Sequence, residues 1–221
     1  MLLIELIREN KNFINQKLIE KYINLNDLYF LHFTDIEKLG INPKYSYSNT
    51  PIGIYGYPLK QTWNLYGSLS KYPYAFDKKF VIIFKVSKNS KIFNLLENAK
   101  KSDVGAFYEY FSEKNLRENF NVDDDKIEEI KNIIKKSKIK VNDDIYFYVY
   151  KIFKTIFKES KISSKLTEFF RKYLNYDIVI DQGIGRIHQH EPIQAVVLNP
   201  RVIEDYKIYN NPTNKELAQL Q

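Results

Sequence analysis

Cysteine is absent from this chain, and three other chemically useful residues are scarce: three His, one Trp and one Met. Without thiols there is no disulfide framework, no thiolate metal site and no cysteine nucleophile. That composition suits a reducing compartment and leads us to expect a cytoplasmic protein. No apolar run approaches the about 18 residues that a membrane helix needs. The N-terminal MLLIELIRENKNF is broken by Glu5, Arg8 and Glu9 and has no basic leader, so neither a signal peptide nor a membrane span is expected. Internal repeats, low-complexity tracts and a convincing linker are also missing. So are alternating βα units and a glycine-rich dinucleotide fingerprint.

What remains is a chain of 221 residues, 44% hydrophobic, long enough to bury a real core as a single domain spanning 1–221. Its formal charge of +7 is localised. Between Lys126 and Lys172 there are 13 Lys/Arg and 6 Asp/Glu, and the rest of the chain is neutral. A localised basic segment is the electrostatic footprint of an anionic partner.

Leu2–Ile23 has helical apolar spacing through Leu3, Ile4, Ile7, Phe13, Ile14, Leu18 and Tyr22. LYFLHF over 28–33 and KFVIIFKV over 79–86 predict strands. Residues 34–79 read as irregular, punctuated by Gly40, Pro43, Pro51, Gly53, Gly56, Pro58, Gly67 and Pro73. Residues 92–118 predict helix in pieces. Asp123–Asp125 supply an N-cap for a helix to about Lys136, and Asp143 with Asp144 one to about Lys158. Ser163 or Ser164 predicts the cap of a third, through Leu174, with Glu168 near its first turn. Strands follow at 177–180 and 194–198, closed by Asn199-Pro200. The expected class is α+β, with a small, mostly antiparallel sheet and segregated helices.

Three segments carry chemistry. The first is His32-Phe33-Thr34 at a strand end. The second runs from Thr50 to Pro58, TPIGIYGYP, with Tyr66 eleven residues after Tyr55. The third is the loop and strand around His188, His190, Glu191 and Gln194, ending EPIQAVVLNP. His188-x-His190 with Glu191 and His32 is a ligand set that zinc accepts. Two near-adjacent ligands with a remote third form a low-specificity pattern, however, and no metal is expected.

Together these motifs resemble the ADP-ribosyltransferase superfamily, in the His-Tyr-Glu branch shared by diphtheria toxin and the poly(ADP-ribose) polymerases. His32-Phe33-Thr34 looks like its His-Gly-Ser/Thr motif, Gly53-Ile54-Tyr55 like its Gly-Ile-Tyr strand, and Tyr66 like its second tyrosine. Gln194-Ala-Val-Val-Leu looks like the catalytic Glu and its apolar strand. The tail is also similar to phage- and toxin-associated members with Gly-rich, Ile-His, Glu-Pro and Gln-Ala-Val elements. The likeness covers about 28–86 and 176–203. It implies a split antiparallel β-sheet core, an N-terminal helix and a mid-chain helical insert at about 92–174. It also implies NAD as substrate and a mono-ADP-ribosyltransferase acting on a macromolecule, protein or nucleic acid, docked through the basic helices 126–172.

By that resemblance His32 would hydrogen-bond ribose hydroxyls, the Phe33 backbone would hold the carboxamide, and Thr34 would complete that motif. Tyr55 would frame the pocket, and Tyr66 would stack on nicotinamide. The third position departs from the family, because Gln194 hydrogen-bonds but brings neither charge nor basicity. Glu191, three residues upstream, is the nearest replacement, either as the missing charge or as general base on the acceptor; Asp181 is a further candidate. The other outcome is a protein that binds or hydrolyses NAD without transfer.

Overall fold

The computed structural model describes residues 28–41, 50–58, 78–95, 99–141, 144–181 and 194–210. The N-terminal segment 2–23, Tyr66, His188, His190 and Glu191 therefore lie outside the described residues. The protein is α+β, with seven strands and five helices among those residues. The strands are β1 (Leu28–Thr34), β2 (Ile54–Pro58), β3 (Phe80–Val86), β4 (Ile92–Asn94), β5 (Ile178–Asp181), β6 (Gln194–Val197) and β7 (Ile203–Asn210). The helices are α1 (Lys101–Tyr110), α2 (Glu113–Phe120), α3 (Asp124–Ser137), α4 (Ile145–Ile156) and α5 (Glu159–Thr167). Hydrogen bonding runs in the order β4-β5-β6-β2-β1-β3-β7. All pairs are antiparallel except β4 with β5, so the pairing is mixed.

The chain forms two compact units. The first holds β1, β3, β7 and the end of β2. β1 pairs with β3 along its whole length, from Leu28↔Val86 to Thr34↔Phe80. Phe30 and Phe84 face each other in that ladder and stack at 5.3 Å. β7 covers the other edge of β3, with a register shift between Lys85 and Val86. Nothing after Pro200 in the sequence predicted this strand. IEDYKIYN is half charged or polar, its residues are exposed or half-buried, and the strand exists because β3 offers it an edge.

The second unit holds the start of β2, the strands β4, β5 and β6, and all five helices. Its core is aromatic. The Tyr110 ring lies 4.7–5.3 Å from the rings of Phe111, Phe120, Phe169 and Tyr173, mostly edge to face. Phe107 and Phe111 are buried beside it, so the 107–111 aromatics fill a core; Tyr108 alone among them is exposed.

Capping follows the sequence at two helices and departs from it at a third. Asp123 caps α3 by accepting from the Lys126 amide at 2.9 Å, and Asp144 caps α4 through Phe147 at 2.9 Å. Ser163 and Ser164, expected to start a helix, instead lie inside α5, which begins at Glu159. Inside a helix the hydroxyls turn back on the preceding turn: Ser164 donates to the Lys161 carbonyl at 2.8 Å. Glu168 then ends α5 and opens a π-helical turn, Glu168–Tyr173, rather than lying in the first turn of a helix begun at Ser163 or Ser164. The expected helix at 92 is also overturned at its start. Ile92–Asn94 is a strand, drawn into register with Ile178–Ile180 of β5, and helix begins at Lys101.

The buried Tyr110 hydroxyl has no hydrogen-bond partner among the described residues. Leaving a buried hydroxyl unpaired costs about 1–3 kcal/mol. Tyr110→Phe is therefore expected to be neutral or stabilising. Tyr110→Ala, which empties the ring cluster, should cost about 3–5 kcal/mol. Urea midpoints of the two variants check both signs.

Candidate functional site

The first motif lies in the first unit, at the end of β1. His32 is half-buried, opposite Ile82. The Phe33 ring lies 5.7 Å from that of Tyr57. Thr34 Oγ1 accepts from the Ile36 amide at 3.1 Å, so its hydroxyl shapes the turn that leaves the strand. Asp35 anchors this turn to the start of β3 through Lys78 Nζ at 2.5 Å and the Lys79 amide at 3.4 Å. The Lys78 hydrogen bond, followed by smaller contributions from Lys79, holds the Asp35 carboxyl below its ordinary pKa.

The second motif as far as Gly56, and the third motif's strand, lie in the second unit, where register brings them together. Tyr55 pairs with Val196, Val196 with Val179, and Val179 with Phe93. Directly opposed residues share a face, and these four side chains make one row that packs into the helical core. The next row on the same face is Asp181 paired with Gln194. Both are buried, at 1% and 7% exposure, and they are the positions from which the 182–193 connection leaves and returns. Tyr55, Gln194 and Asp181 therefore share the helix-facing side of this ladder.

Two staples hold the TPIG segment in place. Thr50, fully buried, has Oγ1 2.6 Å from the Tyr55 hydroxyl, which itself donates to the Pro51 carbonyl at 2.8 Å. The Tyr55 proton is thus committed to Pro51, and Thr50 donates to Tyr55. Thr167, at the end of α5, accepts from the Ile52 amide at 2.6 Å and lies 3.0 Å from the Ile52 carbonyl. Gly53 then passes hard against β6. A Cβ there would sit 2.5 Å from both Val196 Cγ1 and the Val197 carbonyl oxygen.

From the helical side α4 contributes Tyr146, stacked on Phe170 at 5.4 Å. Burial pushes its phenol well above the ordinary tyrosine pKa; the nearby Tyr55 and Asp181 push the same way. Tyr146 thus stays neutral beside Asp181, able to donate a hydrogen bond but not to act as a base.

The sequence singled out Tyr55, Gln194 and Asp181, which the fold gathers on one face. It placed His32, Phe33 and Thr34 correctly at a strand end. It assigned nothing to Thr50, Tyr146 or Thr167. Thr50 had a signal, since a Thr before Pro five residues from a Tyr suits a turn staple. Tyr146 and Thr167 had none, because their roles come from helices packing on distant strands. Among the described residues no group of three or more His, Asp or Glu is placed to hold a metal ion, and no helix is long and apolar enough to cross a membrane. Comparison with protein-family models, characterised proteins and solved structures gives no match to this chain.

Gly53→Ala is expected to destabilise the second unit by about 1–3 kcal/mol, since one of the two obstructing atoms is backbone and cannot swing aside; a lowered denaturation midpoint would show it. Tyr146 makes a further prediction about pH. Its folded-state pKa lies above the ordinary value of 10.0, so above that pH the unfolded chain sheds a proton that the folded chain keeps. Stability is full below pH 10 and falls as pH rises past it, by up to about 1.4 kcal/mol per pH unit for one such group. Tyr110 and Tyr176 shift in the same direction. Tyr146→Phe should make the alkaline decline shallower without changing the slope below pH 9, as followed by chemical denaturation at stepped pH.

Proposed function

We propose that this chain is an NAD-dependent mono-ADP-ribosyltransferase. One observation carries the proposal. Two of the motif segments, Gly-Ile-Tyr and Gln-Ala-Val-Val-Leu, separated by more than 130 residues, meet within the second unit, where β6 pairs with the first three residues of β2 and sets Tyr55 opposite Val196. Chance matches to these two motifs would have no reason to fall on paired strands.

In the proposed reaction the bond between nicotinamide nitrogen and ribose C1′ breaks. Its electron pair returns to the ring, discharging the pyridinium and leaving an oxocarbenium-like ribose. A nucleophile on the acceptor adds to C1′ and gives up its proton. His32, Phe33 and Thr34 are assigned to the dinucleotide, with Tyr66 stacking on nicotinamide. Tyr55 frames the pocket by pinning Thr50 and Pro51. Gln194 accepts or donates at a ribose hydroxyl but leaves the growing positive charge uncompensated.

A carboxylate must then come from elsewhere, and two are available. Asp181 stands directly across the ladder from Gln194, on the same face as Tyr55. Glu191 lies three residues before Gln194, outside the described residues. We favour Asp181, whose position beside Gln194 is fixed by the strand pairing. Burial in a low-dielectric setting would strengthen its pull on a developing cation. The second reading is an NAD-binding or NAD-hydrolysing protein, favoured by the neutral third position.

Incubation with NAD labelled in the adenine moiety, alongside a lysate divided into protein, RNA and DNA, tests the activity. Label should appear in one fraction and nicotinamide should be released, with both lost in His32→Ala. Asp181→Asn is expected to slow nicotinamide release about 10²–10³-fold, and Glu191→Gln much less. The reverse ranking would move the charge to Glu191. Nicotinamide release without transferred label would favour the hydrolase, and no NAD consumption would end the proposal.

A further inference from the structure

α4 is apolar on every side but one. Its sequence, IYFYVYKIFKTI, buries Ile145, Tyr146, Val149, Ile152 and Phe153. The exposed positions are Phe147, Lys151 and Lys154, and Lys158, just beyond the helix, is exposed as well. Spacings of four and three residues keep Phe147, Lys151 and Lys154 on one face of the helix, with neighbours about 5–6 Å apart. A helix this hydrophobic had every compositional reason to bury that face as well. It presents an aromatic ring followed by a line of cations instead.

The chain on either side of α4 carries further exposed lysines. α3 ends in Lys135 and Lys136, with Lys138 as its C-cap, and its chain leads into the Phe147 end of α4. α5 begins just after Lys158 and carries Lys161 in its first turn. Lys135, Lys136, Lys138, Lys151, Lys154, Lys158 and Lys161 are all exposed, and none has an acidic partner within ion-pairing distance among the described residues. The nearby acids are mostly engaged. Glu128 pairs with Lys131, Glu168 with Lys165, and Asp144 caps α4. Glu129 and Glu159 are the exposed exceptions. Seven exposed lysines without an ion-pair partner among the described residues, against the single unengaged Glu159, give residues 135–161 a net positive charge with an exposed Phe among them.

We propose that this face of α4, with the adjoining ends of α3 and α5, binds single-stranded nucleic acid without sequence preference. Lysines are flexible point charges, suited to tracking a phosphate backbone; the arginines that read base edges by bidentate contact are missing from the stripe. Phe147, 38% exposed and edge to face with Tyr148 at 5.4 Å, offers an exposed ring on which an unpaired base can stack. A duplex has no free base face to give it, and a purely acidic polypeptide has no ring to stack on it. This surface lies wholly within the second unit and does not depend on the NAD reaction.

The test is fluorescence anisotropy of a labelled oligothymidylate titrated with the full chain, without NAD, between 50 and 200 mM salt. Saturable binding should weaken with salt, with a logarithmic slope of about −0.7 for each phosphate contacted. Lys151→Gln with Lys154→Gln should weaken binding and make the slope shallower by about 1.4. Phe147→Ala should weaken binding at least about five-fold while leaving the slope unchanged, because stacking releases no counterions. Thermal melts of the variants, all at exposed positions, guard against misfolding. No saturable binding at 50 mM salt, a slope indifferent to the two lysines, or equal competition by polyglutamate of matched charge would each overturn the proposal.

Discussion

The pairing of β6 with β5 on one side and β2 on the other is the constraint on which the second unit depends. All four residues of β6 and all four of β5 are buried, so this ladder cannot slip by one position without sending Val196 and Val179 away from the helices and exchanging them for Ala195 and Ile180. Gly53 is part of the same lock. It is small because the chain approaching β2 crosses β6 with no room for a Cβ. With that register set, Tyr55 falls opposite Val196 and Asp181 opposite Gln194, and the polar row is defined by backbone pairing rather than by side-chain attraction.

A polar row on the buried face of a sheet needs a reason to be tolerated. Polar groups taken out of water must be hydrogen-bonded, and a carboxylate taken out of water is costlier still. Here the row lies where strands give way to loops. Thr50 and Thr167 spend their hydroxyls on tying the TPIG turn to Tyr55 and to α5, and Tyr146 is held neutral by its surroundings. Groups fixed in this way keep their orientation around the Asp181–Gln194 row.

The helices serve two purposes that their sequence mixes together. Their inner faces make an aromatic core around Tyr110 and Phe169, a rigid backing for the β5–β6 ladder. Their outer faces carry the positive charge of the chain. The π-helical turn at Glu168–Tyr173 belongs to the first purpose. By widening the helix by one residue it sets Phe169 and Phe170 in the core at right angles to each other, 5.3 Å apart, and both rings are completely buried.

Much of this was legible in the residues. Short, nearly continuous apolar runs fixed β1, β3, β5 and β6 to within a residue or two. Asp123 and Asp144 marked the starts of α3 and α4, because a carboxylate that accepts from the third amide ahead is a local event. The α+β class followed from element order. Segments governed by distant partners were not legible. Ile92–Asn94 is a strand only because β5 pairs with it, β7 only because β3 has a free edge, and Ser163 lies inside a helix because α5 starts at Glu159. By itself the sequence determined which residues are capable of chemistry and which stretches fold locally, since propensity, capping and periodicity act over a few neighbours. Tertiary structure alone decided that Asp181 faces Gln194, that Tyr146 sits near both Asp181 and Tyr55, and that α4 turns Phe147 and its lysines outward. Those placements depend on strand register and helix packing, whose energies come from contacts between residues far apart in the chain.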